Sequence, residues 1–223
     1  MTTDPVIAHA LILALIWLVY FVLHSLLASL KVKNLVASRW PGLMPAYRIG
    51  FNLFATVTLI IPLWWMLTAT SEVIWKWQGI WWWVMNLIAL SAIAGFFISL
   101  RYYDGQEFMG IRQLREHEKQ VEDQENFHLS PFHRFVRHPW YFFGIIIICT
   151  RDMDSLMLVT AIFLTLYFII GSRLEEQKLI CYYGDVYRQY MKKVPGLFPL
   201  PWPHLSAEEA DLLLQQYLNE KNP

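Results

Sequence analysis

Charged and apolar positions fall in long blocks along this chain, and the blocks predict its elements. Four stretches are nearly free of charge: Pro5 to Leu30, Ile49 to Thr70, Ile80 to Leu100, and a split run from Trp140 to Thr150 and Ser155 to Gly171. The first three reach the roughly 20 apolar residues that a membrane helix needs. Arg151, Asp152 and Asp154 interrupt the fourth. At about 1.5 Å per residue, its first limb covers about 17 Å of a hydrocarbon core about 30 Å thick. Something polar must therefore lie within the membrane slab. The simplest arrangement is a helical hairpin that turns at Arg151 to Asp154. Its open end then carries Arg137 and His138 on one limb, and Arg173, Glu175 and Glu176 on the other.

Composition points the same way. The 223 residues are 56% hydrophobic and 16% aromatic, and mean hydropathy is positive, which argues against a water-soluble domain of this length. The expected fold is all-α, a single integral membrane helical bundle of about five transmembrane helices, the last two a short hairpin, with a cytoplasmic C-terminal helical tail. Residues 1–101 are expected to hold three transmembrane helices, 102–138 a cytoplasmic loop, 139–172 the hairpin and 173–223 the tail. The first run reads as a retained helix rather than a signal peptide, because its start, MTTDP, is acidic where a signal is basic.

Charge sets the orientation. Lys31, Lys33, Arg39 and Arg48 surround the first loop; Arg101, Arg112, Arg115, Lys119, Arg134 and Arg137 fall in the third; Arg173, Lys178, Arg188, Lys192, Lys193 and Lys221 fall in the tail. Only Lys76 and Arg151 remain for the other side. That asymmetry places the long loop and the tail in the cytoplasm, with a bacterial inner membrane as the expected location.

Several chemistries are disfavoured. Net charge is zero and no basic run is dense enough for nucleic acid. No two glycines form a GxG, so no dinucleotide or phosphate loop is visible, and no GxSxG occurs. His128, His133 and His138 recur every five residues, a spacing that does not stack on one helix face, so no metal site is expected. Cys149 and Cys181 fall near opposite membrane faces and read as apolar fillers. His24 reads as a helix–helix hydrogen-bonding group.

The hairpin's open end is the candidate site. Pro139 suits the first helical turn, which puts Arg137 and His138 at a helix N-terminus, where free N–H groups and the positive dipole end favour an anionic group. On the other limb, Arg173 and Glu176 are three residues apart and share a face, whereas Glu175 and Glu176 point about 100° apart, so one glutamate is expected to face the cavity. Further on, CYYGDVYRQY predicts a helix that stops at Gly184 in the left-handed conformation, then a short helix capped by Asp185 that presents Tyr187 and Tyr190. Arginine, glutamate and tyrosine at helix ends also mark membrane interfaces. The half-length hairpin with ionisable groups at both open ends is what favours a functional reading.

These residues also carry a resemblance. RHPWY, followed by RLEEQKL and then YGDVYRQYMKKVPGLFP, resembles the C-terminal half of integral-membrane methyltransferases related to isoprenylcysteine carboxyl methyltransferase and phospholipid N-methyltransferase. The match covers Leu129 to Pro199. LHSLLASLKVK, YRIGFNLFATVTLIIPLWW, YYDGQEFMGIRQL and RDMDSLMLVTAIFLTLYFIIGSRLEE are similar to the branch containing NnrU-type proteins and methanethiol S-methyltransferase. The resemblance implies S-adenosylmethionine as cofactor, in a pocket between the hairpin's cytoplasmic end and the tail. It implies methylation of a small thiol, methanethiol to dimethyl sulfide. Two departures stand out. Before RHP the family has Gly-x-Tyr-Arg where this chain has Pro131, Phe132, His133 and Arg134, and the N-terminal region is shorter than in the thiol enzymes by about one membrane helix.

Methyl transfer from a sulfonium is an in-line displacement, so the protein mainly holds donor and nucleophile about 3–3.5 Å apart and excludes water. The resemblance implies that Arg137, His138, Tyr141, Glu175, Tyr187 and Tyr190 help to hold the cofactor, a sulfonium being compatible with carboxylate and aromatic neighbours. Arg173 and Glu176 are the expected catalytic pair at the acceptor. A thiol must react as thiolate, which a nearby arginine favours. Glu107, Arg112 and Gln113 are weaker candidates for a substrate lid. Membrane lipids are expected neighbours, and the acceptor is a small molecule or a lipid-like group. The alternatives are carboxyl methylation of a prenylcysteine, N-methylation of a lipid, a reductase of the sterol C14 type using NADPH, and a non-enzymatic NnrU-like assembly factor or sensor.

Overall fold

The computed structural model describes residues 4–118, 127–200 and 204–221. The expected basic position Lys119 and the start of MTTDP lie outside them. Helix α1 (Pro5–Ala28) begins where Asp4 accepts from Val6 N and Pro5 takes a first-turn position. Ser29 then caps α2 (Leu30–Arg39). A 3-10 turn at Pro41–Leu43 leads into α3 (Met44–Thr68). After β1 (Val73–Trp75) come α4 (Ile80–Leu100), two single-turn helices α5 (Gly105–Met109) and α6 (Ile111–Arg115), and a 3-10 turn at Pro131–Arg134. The chain continues with α7 (Pro139–Cys149), β2 (Met153–Asp154), α8 (Ser155–Lys193) and α9 (Ala207–Lys221).

Among the described residues, four helical segments are long and apolar enough to cross a membrane: Pro5–Ala28, Pro41–Thr68, Ile80–Leu100 and Ser155–Lys193. Their side chains face outwards to an extent water would not tolerate; Leu67 is 77% exposed and Trp83 67%. Such surface costs about 25 cal/mol per Å² in water and nothing comparable against lipid tails. Helix α7, at 11 residues, is the half-length limb that the sequence predicts.

The described residues fall into two compact units interleaved along the chain. The first comprises 4–76, 103–118 and 152–163. Here α1 and α3 are joined by side chains that donate to backbone carbonyls: Tyr47 Oη to Leu27 O at 2.7 Å, and Trp65 Nε1 to His9 O at 3.2 Å. Trp17, fully buried, donates Nε1 to Thr160 Oγ1 at 3.1 Å and stacks on Phe21. In an apolar solvent such polar pairs supply the specificity that hydrophobicity cannot. His24 sits in this group, its ring 5.0 Å from that of Phe51.

The expected hairpin turn is more structured than its charges suggested. Strand β2 pairs antiparallel with β1, Val73 opposite Asp154 and Trp75 opposite Met153. Asp154 Oδ1 then accepts from Leu156 N and Met157 N, capping α8. Strands this short leave no alternating pattern to read.

Also in the first unit, Asp104 caps α5 through Gln106 N and Glu107 N. Arg48 Nε and Asn52 Nδ2 of α3 both donate to Phe108 O, at 3.2 and 3.0 Å. Gly110 turns the chain between α5 and α6 at φ 84°, where a Cβ would stand 2.9 Å from both Arg48 Cβ and Ile49 N.

The second unit comprises 77–102, 127–151, 164–200 and 204–221. Its α7 lies between α4 and the later part of α8. Towards α4, Trp140 Nε1 donates to Ser99 Oγ at 2.7 Å and Phe143 covers Gly95. Towards α8, Tyr141 stacks on Phe168 with ring centroids 4.9 Å apart. Phe127, Tyr183, Val186, Tyr187, Tyr190, Val194, Leu205, Ala210 and Leu213 form a separate core. Ser206 and Glu209 cap α9 reciprocally, Ser206 N to Glu209 Oε2 at 2.9 Å and Glu209 N to Ser206 Oγ at 3.1 Å. Gly184 breaks α8 where the sequence expects a helix to stop: its φ of 56° is positive, but its ψ of −130° is not that of a left-handed helix cap, and a second helical stretch follows at once to carry Tyr187 and Tyr190.

Gly110→Ala should lower the melting midpoint in detergent by several degrees, the equivalent of about 2 kcal/mol, because a positive φ and a backbone clash coincide. Gly105→Ala, with nothing within 4 Å of its Cβ, should leave the midpoint unchanged. Equal midpoints for the two variants would contradict the docking of α5 and α6 on α3.

Candidate functional site

The site is built where the backbone before α7 meets the chain after α8. Arg137 N donates to Pro195 O at 2.9 Å and His138 N to Gly196 O at 3.1 Å. This pairing holds the start of α7 in place, with His138 as its N-cap and Pro139 in the first turn. The Arg137 guanidinium is then fully engaged. Nε and Nη2 reach Glu176 Oε1 at 2.8 and 2.7 Å. Nη1 donates to Met191 O at 3.1 Å and also to Val194 O. Arg137 thus ties α7, α8 and the following segment together.

His138 takes both glutamates. Its Nε2 lies 3.0 Å from Glu176 Oε1 and its Nδ1 3.5 Å from Glu175 Oε2. Tyr141 Oη donates to Glu175 Oε2 at 3.0 Å. Glu176 is the one glutamate that is buried, and Glu175 reaches the same imidazole from an exposed position. Two side chains about 100° apart on a helix converge because one imidazole presents nitrogens on two edges. His138, Tyr141 and Phe168 stack in series, with centroids 5.4 and 4.9 Å apart and planes within 9° and 8°.

Electrostatically the cluster closes on itself. Burial of His138, which is 6% exposed, favours the neutral imidazole, but hydrogen bonds to Glu175 and Glu176 outweigh it and raise the pKa above the ordinary value. A guanidinium, and an imidazole whose protonated form the carboxylates favour, then face Glu175 and Glu176. Glu176 is 8% exposed and its Oε1 takes all three of its described hydrogen bonds, leaving Oε2 without one. The Glu175 side chain is half exposed.

The remaining expected residues divide clearly. Tyr187 and Tyr190 are buried in the aromatic core, and Tyr190 Oη donates to His133 O at 2.7 Å. Tyr187 is near enough to feel the charges of Glu176 and Arg137. Arg173 is exposed and makes no hydrogen bond or ion pair with the described residues. The partner of Glu176 is Arg137, which arrives from a braced and buried segment. Glu107, Arg112 and Gln113 belong to the other unit. There Arg112 pairs with Asp104 and, at 3.4 Å, with Glu107, and Gln113 Nε2 donates to Glu107 O. Burial raises the Glu107 pKa.

Sequence reasoning missed the bracing carbonyls of Met191, Val194, Pro195 and Gly196. The only signal was Gly196, where a Cβ would lie 3.4 Å from Arg137 Nη2. It also missed what His133 does. Its Nδ1 accepts from Ser130 N at 3.1 Å and lies 2.7 Å from Ser130 Oγ. A histidine thus closes the turn in which this chain departs from the family pattern. Among the described residues, no group of three or more His, Cys, Asp or Glu is arranged to hold a metal.

No family model and no solved structure matches the chain. Curated proteins do. Methanethiol S-methyltransferase 1 of Bradyrhizobium diazoefficiens is 31% identical over 205 residues, 88% of this chain and 70% of that protein. Methanethiol S-methyltransferase of Pseudomonas deceptionensis is 26% identical over 81% of this chain and 69% of its own length. The Mycobacterium tuberculosis protein of that name is 28% identical over 89% and 81% respectively.

The two buried histidines respond to pH in opposite senses. Burial lowers His133 from 6.5 to about 4, so its contribution to stability is present above pH 6.5 and is lost as pH falls towards 4. His138 is raised, so its contribution is complete below 6.5 and fades as pH rises through its folded value. Thermal unfolding of His133→Asn between pH 7 and 4 should show a flatter acid limb than the parent. An unchanged limb would contradict a neutral, buried His133.

Proposed function

We propose, from the premise that this chain belongs to the methanethiol S-methyltransferase family, that it transfers a methyl group from S-adenosylmethionine to a small thiol at the membrane, with methanethiol as acceptor. The chain is a methyltransferase with membrane-spanning helices. The names of its relatives favour the thiol over a prenylcysteine carboxylate, a lipid amine, a reductase or an assembly factor. The observation that carries the reading is the Arg137–Glu176–His138–Glu175–Tyr141 network, which joins the α7 N-terminus to α8 in one hydrogen-bonded unit.

The residues present fit a sulfonium cofactor. Glu175 has an exposed carboxylate, and the His138–Tyr141–Phe168 stack provides aromatic faces beside it. S-adenosylmethionine would supply a methyl group already bonded to a positively charged sulfur. Glu175, His138 and Tyr141 would hold it, and Tyr187 would support them from the buried aromatic core. Arg137 positions Glu176 by saturating Oε1. Glu176 Oε2 then accepts the thiol proton, and the unpaired Arg173, one turn earlier on the same face, favours the thiolate. Close positioning and exclusion of water do the rest.

In the bilayer, α7 is a half-length fifth span. The bundle has its tail and the loop after α4 in the cytoplasm of a bacterial inner membrane, as the distribution of Lys and Arg supports.

Titrating folded, purified protein with S-adenosylhomocysteine should give saturable binding, and its absence would overturn the cofactor assignment. Membranes given labelled S-adenosylmethionine and methanethiol should release labelled dimethyl sulfide. Label in a prenylcysteine or lipid amine instead would overturn the acceptor. Glu176→Gln should lower turnover by about 10²-fold or more with a smaller loss of folded yield, whereas equal losses would assign Glu176 to structure alone.

A further inference from the structure

Helix α2 connects two membrane-spanning helices, so it lies at the bilayer surface. Ser29 breaks it away from α1, and Trp40 with the Pro41–Leu43 turn breaks it away from α3. None of its residues is buried. Its exposed positions are Lys31, Asn34, Leu35, Ser38 and Arg39, which at helical spacing form one face. The two cations stand about 12 Å apart along that face. Leu35 lies between them, 55% exposed, and Trp40 and Leu43, each 57% exposed, continue the face. No acidic residue occurs between Asp4 and Glu72, so α2 and the helices it joins contribute no negative side chain of their own to this face.

We infer that this face of α2 binds anionic glycerophospholipid headgroups, with Lys31 and Arg39 against phosphates and Leu35, Trp40 and Leu43 in the acyl boundary. A cationic face with exposed leucine and tryptophan is the composition of a helix lying in the interface plane. Cations near an anionic surface are attracted to it, and tryptophan settles at headgroup depth. A soluble acidic partner would meet the cations but leave Trp40 and Leu43 in water. The inference rests on the membrane-spanning reading of α1 and α3 and is independent of the methyl-transfer chemistry.

The test is hydrogen exchange of the full chain in nanodiscs of phosphatidylcholine alone and with about a third phosphatidylglycerol. Exchange over 30–43 should be slower by about tenfold in the anionic discs. High salt and the Lys31→Gln/Arg39→Gln variant should each remove the difference, with exchange in α1 and α3 of the variant reporting that it is folded. Identical exchange over 30–43 in both discs would overturn the inference. So would an equal slowing along the whole chain, or a folded double variant that keeps the difference.

Discussion

The second unit depends on keeping one buried carboxylate charged. A lone carboxylate moved out of water is so costly that it would neutralise or be expelled. Glu176 stays because Arg137 and His138 both donate to one of its oxygens. Arg137 in turn needs acceptors for its other donors and finds them in the carbonyls at the end of α8. Removing either partner would leave the buried charge with only the other to compensate it, a destabilising change. The break at Gly184 falls between the helical stretch that carries the carboxylates and the stretch that leads to the carbonyls bracing Arg137.

The first unit is held by different physics. Lipid tails are as apolar as the helices they surround, so the contacts that distinguish one packing from another are polar: Trp17 to Thr160, Trp65 to His9 O and Tyr47 to Leu27 O. Each uses an aromatic side chain with one polar atom. Such a group can lie in hydrocarbon while its donor is satisfied.

Much of this was legible in the sequence. Long apolar blocks need few assumptions, and they yielded four spanning segments and a half-length α7. The encounter of Arg137 and His138 with Glu175 and Glu176 also followed, from the hairpin geometry alone. What the pattern could not show was the choice among partners. Helical spacing favoured Arg173 as the neighbour of Glu176, and backbone pairing to Pro195 and Gly196 brings Arg137 there instead. Backbone carbonyls carry no residue signature, so the brace stayed invisible. The strands β1 and β2 were too short for alternation, and nothing in the spacing of His133 pointed to its contact with Ser130.

Gly196 has a consequence beyond bracing. A methyl group there would touch both Arg137 Nη2 and Glu176 Oε1, at 3.4 and 3.7 Å, which is ordinary contact with no room to spare. Only a side chain larger than alanine would press on the ion pair, so position 196 is where volume alone, without any change of charge, bears on the spacing of Arg137 and Glu176.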